Sequence, residues 1–196
     1  MSRSADAYHH GSLKPALEDA ALDLLRTTAH TDLSLREVAR TAGVSHNAPY
    51  HHFGDRTALL KRLSERSMSE LLDALVAASP SGAAPHTARA QLVAVGAAYV
   101  GYAAAYPERF RIIYDPSVCV PGAPSAEMAP LITAVETILM EATKAISPRA
   151  SDATLTALTT GVWGAVHGLA ELVIAGHITA DEAEPALVAL FDASRL

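Results

Sequence analysis

The chain has 196 residues, half of them apolar, 40 of them alanine and only 5% aromatic. This composition permits a sizeable core and favours helices over sheets, because alanine is the strongest helix former and aromatic residues favour strands. A uniformly acidic protein with the net charge of −6 would bind nucleic acid poorly. The charge is uneven, however: residues 1–66 hold nine Lys and Arg against eight Asp and Glu, whereas residues 67–196 hold six against thirteen. The N-terminal third is therefore electrostatically different from the rest.

Three sequence features bear on the cellular compartment. The single cysteine, Cys119, excludes an internal disulfide framework. The first residues lack the apolar segment of a signal peptide. Two stretches of 18 uncharged residues, 90–107 and 153–170, have the length of a short membrane span, but they are rich in Ala and Gly instead of Ile and Phe. We therefore predict central helices of a soluble bundle, no membrane association and a cytoplasmic location.

The N-terminal part of the chain contains signals for three helices. Leucine and alanine recur at helical spacing over 13–25 and predict the first helix. Ser34 begins a capping box that predicts a second, short helix over 35–42, and Gly43 is expected to end it with a positive φ. Ser45 is predicted to cap a third helix, which ends near residue 52.

Six further helices follow by the same spacing, separated by a Pro- and Gly-rich linker at 79–85 and a long loop at 115–130. No strand pattern longer than a few residues and no internal repeat is present, so we predict an all-α fold of about nine helices. The predicted ranges of these six helices are 56–78, 87–105, 107–114, 127–146, 151–176 and 180–193.

The segment 34–53 is the most informative part of the sequence. It encodes two short helices joined by a tight turn at 42–44, with the small Ala39 at the point where the helices cross. This arrangement is typical of a helix-turn-helix, whose second helix enters the DNA major groove through its N-terminal residues. The alternative is an ordinary helical hairpin with polar residues on its outer face.

Candidate DNA contacts follow from position on these helices. Asn47 can pair with adenine, His46 can bond to base edges, and the hydroxyl of Tyr50 can reach a phosphate. The complete set of candidate DNA-binding residues is Lys14, Ser34, Arg36, Ser45, His46, Asn47, Tyr50, His51 and Arg56.

Three segments together resemble the N-terminal DNA-binding domain of TetR-type transcriptional regulators. They are Tyr-His-His-Gly-Ser-Leu at 8–13, Ser-Leu-Arg-Glu-Val-Ala at 34–39 with Ala-Gly-Val-Ser at 42–45, and Ala-Pro-Tyr-His-His-Phe-Gly-Asp-Arg at 48–56. The resemblance covers about residues 8–64. It implies that Tyr50 is the family's recognition-helix tyrosine and that Arg56 is the basic residue opening the fourth helix. Pro49 departs from the general pattern.

A second resemblance lies at 161–168, Gly-Val-Trp-Gly-Ala-Val-His-Gly, which is similar to the Trp…His-Gly signature of one C-terminal domain type in this family. It implies a helical domain that binds an inducer and forms a dimer. The predicted organisation is therefore a DNA-binding domain at 1–54, a connecting helix at 55–78 and a ligand-binding and dimerisation domain at 79–196.

Aromatic residues and one histidine supply the candidates for an effector pocket. Trp163 and His167 are four residues apart and share a helix face, as do tyrosines at spacings of three and four in the fifth helix. Core packing is the alternative for both groups. Since no charged cluster converges here, we expect a small, mostly apolar effector. The candidate effector-site residues are Tyr99, Tyr102, Phe110, Tyr114, Met128, Trp163 and His167.

Apolar stripes on the last two long helices predict a dimer interface, in which two helices from each subunit form a four-helix bundle. Such a dimer would place two recognition helices about one DNA turn, roughly 34 Å, apart on a palindromic operator. The candidate interface residues are Leu169, Val173, Leu187, Leu190 and Phe191.

We therefore predict a dimeric, ligand-released repressor of double-stranded DNA. An activator or a ligand-independent regulator of the same fold is the first alternative. A helical enzyme or small-molecule-binding protein is the second, but no constellation of catalytic residues supports an enzyme, and we predict no cofactor. We also predict no metal site, because the paired histidines at 9–10 and 51–52 are sequence neighbours, which point in different directions on a helix. A redox role for Cys119 stays open.

Overall fold

The computed structural model describes residues 13–79 and 88–193, and these contain nine α-helices and no strand, as predicted. The histidine pair at 9–10 lies outside the described residues. The helices are α1 (Leu13–Leu24), α2 (Leu35–Thr41), α3 (Ala48–Phe53), α4 (Arg56–Ala78), α5 (Ala88–Ala105), α6 (Pro107–Tyr114), α7 (Met128–Ile146), α8 (Asp152–Ile174) and α9 (Ala180–Ala193).

The first core lies where α1, α2 and the first half of α4 pack together, with Leu17, Val38 and Leu63 completely buried. Within each of these helices, apolar residues recur at helical spacing, so they lie on the side that faces the other two helices. Ile112 of α6 and Val118 of the following loop complete the same core. The segment after α5 therefore anchors the N-terminal helices, a contact that the sequence did not predict.

The turn between α2 and α3 forms as predicted. Ser34 caps α2, since its hydroxyl accepts a hydrogen bond from the Glu37 amide at 3.2 Å. Gly43 adopts a φ of 68°, and the Val44 amide donates to the Ala39 carbonyl at 3.0 Å. A left-handed residue is therefore required between the two helices, and glycine adopts it without a steric penalty.

The predicted cap of α3 was wrong. The helix begins at Ala48 with Asn47 as the preceding residue and without a side-chain cap, while Ser45 supplies only its carbonyl, which accepts from the Ala48 amide at 3.0 Å. Pro49 occupies the second helical position, where its missing amide removes a donor that a cap would otherwise satisfy. Pro49 is thus accommodated in the first turn of α3.

Replacing Gly43 by Ala is expected to lower the free energy of unfolding by about 1–2 kcal/mol, because a Cβ disfavours the left-handed backbone. Space is not limiting, since nothing lies within 4 Å of a Cβ built at this position. Urea denaturation followed by circular dichroism measures the change. The matched control is Gly101→Ala on exposed α5 backbone, which should be neutral or slightly stabilising. Equal effects of the two substitutions would contradict the role assigned to Gly43.

The second core surrounds α5, which contacts α4, α6, α7, α8 and α9. The near absence of charge in this helix suits its central position. A Cβ at Gly96 would lie 3.0 Å from Leu187 Cδ1, so glycine permits the close approach of α5 and α9. The leucines of α4 divide between the two cores: Leu63 belongs to the first, and Leu71 and Leu75 belong to the second.

Helix α8 is the one described helix that is long and apolar enough to cross a membrane by length and composition alone. Only 17% of its most apolar window is buried within the protomer. The apolar character of α8 is thus not explained by the packing of a single chain.

Candidate DNA interface and effector site

The predicted base-contacting residues form one surface. Arg36 of α2 lines a shallow, open groove together with His46, Asn47 and Tyr50 at the start of α3. Ala48 and Pro49 of α3 are buried, and Phe53 at the end of the helix packs against the first core. Tyr50 is 47% exposed, so its ring and hydroxyl are accessible to a partner.

The flanking candidates surround this groove. Ser34, Ser45 and His51 are exposed. Lys14, at the start of α1, places its Nζ 5.9 Å from the centre of the Phe53 ring at the end of α3. The exposed start of α1 therefore lies beside the end of the recognition helix, where a lysine can approach a phosphate.

Arg56 makes contacts within the protomer that were not predicted. Its Nε donates to the Leu33 carbonyl at 2.7 Å, and its Nη2 donates to the carbonyls of His30 and Thr31 at 2.6 Å. The guanidinium thus fixes the loop between α1 and α2, and these donors are not available to a phosphate.

Five of the predicted effector-site residues form one aromatic cluster. The Tyr99 hydroxyl lies 2.6 Å from the Tyr114 hydroxyl and 2.9 Å from His167 Nδ1. The Phe110 ring lies 5.4 Å from the imidazole, and the Trp163 ring lies 6.1 Å from it, between ring centres. Helices α5, α6 and α8 thus bring together residues that are up to 68 positions apart in sequence.

The polar groups of this cluster are uncharged. Burial raises the pKa of the Tyr99 and Tyr114 hydroxyls above their usual value. Burial also lowers the pKa of His167, although Glu171, with Oε1 4.0 Å from the imidazole Nε2, opposes this shift. A neutral hydroxyl–hydroxyl–imidazole chain can exchange its internal hydrogen bonds for bonds to a ligand carbonyl or hydroxyl.

A narrow apolar cavity of about 30 Å³ adjoins this cluster. It is too small for more than a water-sized guest, so a larger ligand requires the surrounding helices to move apart. The lining residues come from α4, α5, α7 and α8: Leu75, Leu92, Val95, Gly96, Tyr99, Val135, Leu139, Val162, Trp163 and Val166.

Two predicted effector-site residues lie elsewhere. Tyr102 faces α4, where its hydroxyl donates to the Ser67 carbonyl at 3.0 Å. It was wrongly placed because Tyr99 and Tyr102, three residues apart, are directed to different neighbouring helices. Met128 lines a separate cavity of about 120 Å³ between α4 and the 115–127 loop, together with Cys119. Burial raises the pKa of the Cys119 thiol, which favours its protonated, less reactive form.

The predicted dimer stripe faces mainly inward. Leu187 is 0% exposed and Phe191 is 3% exposed, and both belong to the second core. Leu169 and Val173 are partly buried against the same core, whereas Leu190 is 44% exposed. The stripe was wrongly assigned in these inward positions because periodicity cannot distinguish packing within a chain from packing between chains.

The outward face of α8 was not among the predicted interface residues. Its exposed or partly exposed residues recur at spacings of three and four: Ala153, Ala157, Gly161, Gly164, Gly168 and Leu172. Nothing lies within 4 Å of a Cβ built on any of the three glycines. The glycine spacing in the sequence was the available signal for this surface, which we call the α8 outer face.

Two protein-family models match the chain. Residues 17–63 match the model described as bacterial regulatory proteins of the tetR family. Residues 92–194, more than half of the chain, match the model described as the tetracyclin repressor-like C-terminal domain. The chain belongs to the TetR family. The Trp…His-Gly subtype stays a prediction, since the matched C-terminal model carries a different description.

Similar proteins support this assignment to the TetR family. The HTH-type transcriptional regulator BetI of Rhizobium meliloti strain 1021 is 34% identical over 82 residues; the match spans 42% of this chain and 40% of that relative's length. A protein of unknown function from Rhodococcus sp. RHA1 is 31% identical, with a TM-score of 0.77 over 95% of this chain and 97% of its own. Transcriptional regulator FadR of Bacillus subtilis, solved with stearoyl-CoA, shares the fold at 14% identity and a TM-score of 0.67, over 91% of this chain and 97% of its own.

The match over residues 17–63 includes the helix-turn-helix, so the DNA-binding part of this family of bacterial regulatory proteins is present in the chain. Within residues 13–79 and 88–193, no group of three His, Cys, Asp or Glu side chains is placed to hold a metal ion. The helix-turn-helix surface and the aromatic cluster are two candidate functional sites.

Proposed function

We propose that this TetR family protein is a homodimeric repressor, released from a palindromic operator when a small, mostly apolar effector binds. The observation that carries the proposal is the groove on which Arg36, His46, Asn47 and Tyr50 converge. Its hydrogen-bond donors and acceptors lie at the exposed start of a short helix whose opposite side is buried. This geometry allows polar side chains to enter a major groove. We propose a cytoplasmic location, because the proposed target is DNA.

The residues of this surface are proposed to divide between bases and phosphates. Asn47 and His46 face base edges, and Ser45 and His51 border them. Tyr50 contacts a phosphate. The remaining phosphate contacts are Lys14, Ser34 and Arg36. We retain the division into a DNA-binding domain (1–54), a connecting helix (55–78) and an effector and dimer domain (79–196).

The α8 outer face is the proposed centre of the dimer. Small residues allow two helices to approach closely, and the apolar surface left uncovered in the protomer would be buried between subunits. Leu172 and Leu190 are 42% and 44% exposed and extend this surface onto α9. A self-complementary contact of this kind joins two recognition helices on one duplex.

The proposed effector enters between α4, α5, α7 and α8 and widens the 30 Å³ cavity. Nine of its ten lining residues are apolar or glycine, and Tyr99 supplies a hydroxyl. This composition favours a ligand with a largely apolar body and one polar group. Stearoyl-CoA is a ligand of FadR. For this chain we propose only an effector of the mostly apolar class.

Regulation requires that the effector and the operator prefer different conformers. The separation of the α4, α5, α7 and α8 walls would shift α4, which carries the helix-turn-helix at its N-terminal end. Because coupling is reciprocal, operator DNA must weaken effector binding by the same factor by which the effector weakens operator binding. The proposed activity is binding and release and needs no catalytic step.

Asn47→Ala is expected to relax sequence preference at one base pair per half-site, whereas Tyr50→Phe should weaken binding to all sequences by a similar factor. A bidentate base contact contributes about 1–3 kcal/mol of discrimination, while a phosphate contact carries no sequence information. Fluorescence anisotropy with the preferred duplex and single-position variants of it measures both effects. Lys144→Ala, at the far end of α7, is the control. Uniform losses across all duplexes for both variants would contradict the assigned roles.

A further inference from the structure

His30 joins the DNA-binding region to helix α6 through both ring nitrogens. The residue lies in the loop between α1 and α2 and is 9% exposed. Its Nδ1 lies 2.9 Å from Glu108 Oε2, and its Nε2 lies 2.9 Å from Asp115 Oδ2. Its backbone amide also donates to Glu108 Oε2 at 2.9 Å. Because Glu108 lies in the first turn of α6 and Asp115 caps its last turn, one ring contacts both ends of this helix.

The two carboxylates require protons on both ring nitrogens. Burial by itself would raise the pKa of Glu108, but hydrogen bonds from the His30 amide and ring and from Arg111 lower it. The Ser117 hydroxyl and the His30 ring lower the pKa of Asp115. An ionised carboxylate only accepts hydrogen bonds, whereas a neutral imidazole has one donor nitrogen and one acceptor nitrogen. Both ring contacts therefore form only with the positively charged imidazolium.

The charged groups around this ring come from two helices. Glu108 and Asp115 face it from α6, and Arg111 of the same helix donates to the other Glu108 oxygen at 2.6 Å. From α4, Arg56 donates to the His30 carbonyl at 2.6 Å, a backbone contact that does not require the ring proton. Loss of that proton would remove one ring contact and the positive charge, while the loop would stay attached to α4.

Helix α6 also reaches the candidate effector site. Phe110 and Tyr114 belong to the aromatic cluster, and the Tyr114 hydroxyl lies 2.6 Å from that of Tyr99. The helix is eight residues long, about 12 Å at 1.5 Å per residue. A displacement at the aromatic cluster would therefore move both carboxylates that hold His30.

We propose that His30 is a positioning residue whose protonated ring fastens the DNA-binding region to α6. The connection is complete with the protonated ring, and removal of one ring proton opens one of its two side-chain contacts, because a neutral imidazole donates from only one nitrogen. The role of the connection in relaying effector binding rests on the proposed function. The connection itself does not, since it is a property of the protein without DNA or effector.

The test is millisecond hydrogen–deuterium exchange of the full-length, DNA-free protein at about pH 5.5 and 8.5, on either side of the histidine range. Rates are divided by those of an unstructured peptide to give protection factors. Protection over residues 26–33 is expected to be about tenfold lower at the higher pH in the wild type, the loss of one charge-assisted hydrogen bond. In the His30→Gln variant, protection over these residues should be low at both pH values. His177→Gln, which alters an exposed histidine after α8, should behave as the wild type.

Asp115→Asn provides a second variant that does not alter His30. The asparagine carbonyl accepts a hydrogen bond from the protonated ring, and the asparagine NH2 donates one to the neutral ring. The pH dependence of loop protection should therefore largely disappear. Equal protection of the wild-type loop at both pH values would overturn the proposal, and so would a wild-type pH dependence in either variant. Failure to bind any DNA would contradict the proposed function and leave this measurement unaffected.

Discussion

Substitution of Gly164 by Arg is expected to convert the proposed dimer into monomers and to weaken operator binding by about 100-fold or more. Gly164 lies at the middle of the α8 outer face, and nothing lies within 4 Å of a Cβ built there, so the protomer can accept the side chain. Two protomers that pack through this face cannot accept the arginine, because its side chain and charge would enter an apolar contact between helices. Linking two half-site contacts in one dimer raises the affinity for the operator by about 10²–10⁴-fold, and monomers lose this gain.

Sedimentation equilibrium and operator titration measure the two effects on the same sample. The matched control is Gly101→Arg, which places the same side chain on an exposed α5 glycine with open space around it. Both variants should keep the wild-type circular dichroism spectrum, and Gly101→Arg should remain dimeric. A Gly164→Arg protein that stays dimeric and binds the operator normally would contradict the assigned interface.

Substitution of Val135 by Phe is expected to abolish the response to effector while operator affinity stays within about threefold of the wild type. Val135 of α7 lines the 30 Å³ cavity, and the additional ring volume would fill the space that the effector must occupy. Effector coupling typically changes affinity by about 5–150-fold, and a blocked site loses that entire factor. The variant would therefore be a repressor that no longer releases DNA.

The effector for this test comes from a thermal-shift screen of compounds with an apolar body and one polar group. Ile138→Phe is the control, because Ile138 is also partly buried on α7 but does not line the cavity. It should retain release by the same compound. If Val135→Phe were released as readily as the wild type, the effector would bind elsewhere, and the aromatic cluster would be a core feature.

Most helix bounds could be predicted from sequence because their signals are local. Capping residues, glycines and the spacing of leucines act within a few residues, as the Ser34 cap and the positive φ of Gly43 show. The start of α3, which was predicted wrongly at Ser45, is also decided by a nearby residue. Pro49 removes an amide from the first turn of α3, and the helix begins two residues later than a cap at Ser45 indicated.

Contacts between distant segments could not be predicted in the same way. An apolar stripe containing Leu187 and Phe191 has the same pattern whether it packs on α5 or on a second subunit. A polar side chain likewise gives no indication of its partner. Arg56 was expected at a phosphate but bonds loop carbonyls, and His30 carried no signal for two carboxylates that lie 78 and 85 positions away. The tertiary fold decides these assignments.

The central claim, a dimeric regulator that reads DNA through α3, is tested most directly by selecting bound duplexes from a random pool with the purified protein. The account predicts a palindrome whose half-sites are centred about one helical turn apart, roughly 34 Å. Repetition with Asn47→Ala should return the same palindrome with preference lost at one position in each half-site. Recovery of unrelated sequences without symmetry, or no enrichment at all, would contradict the account.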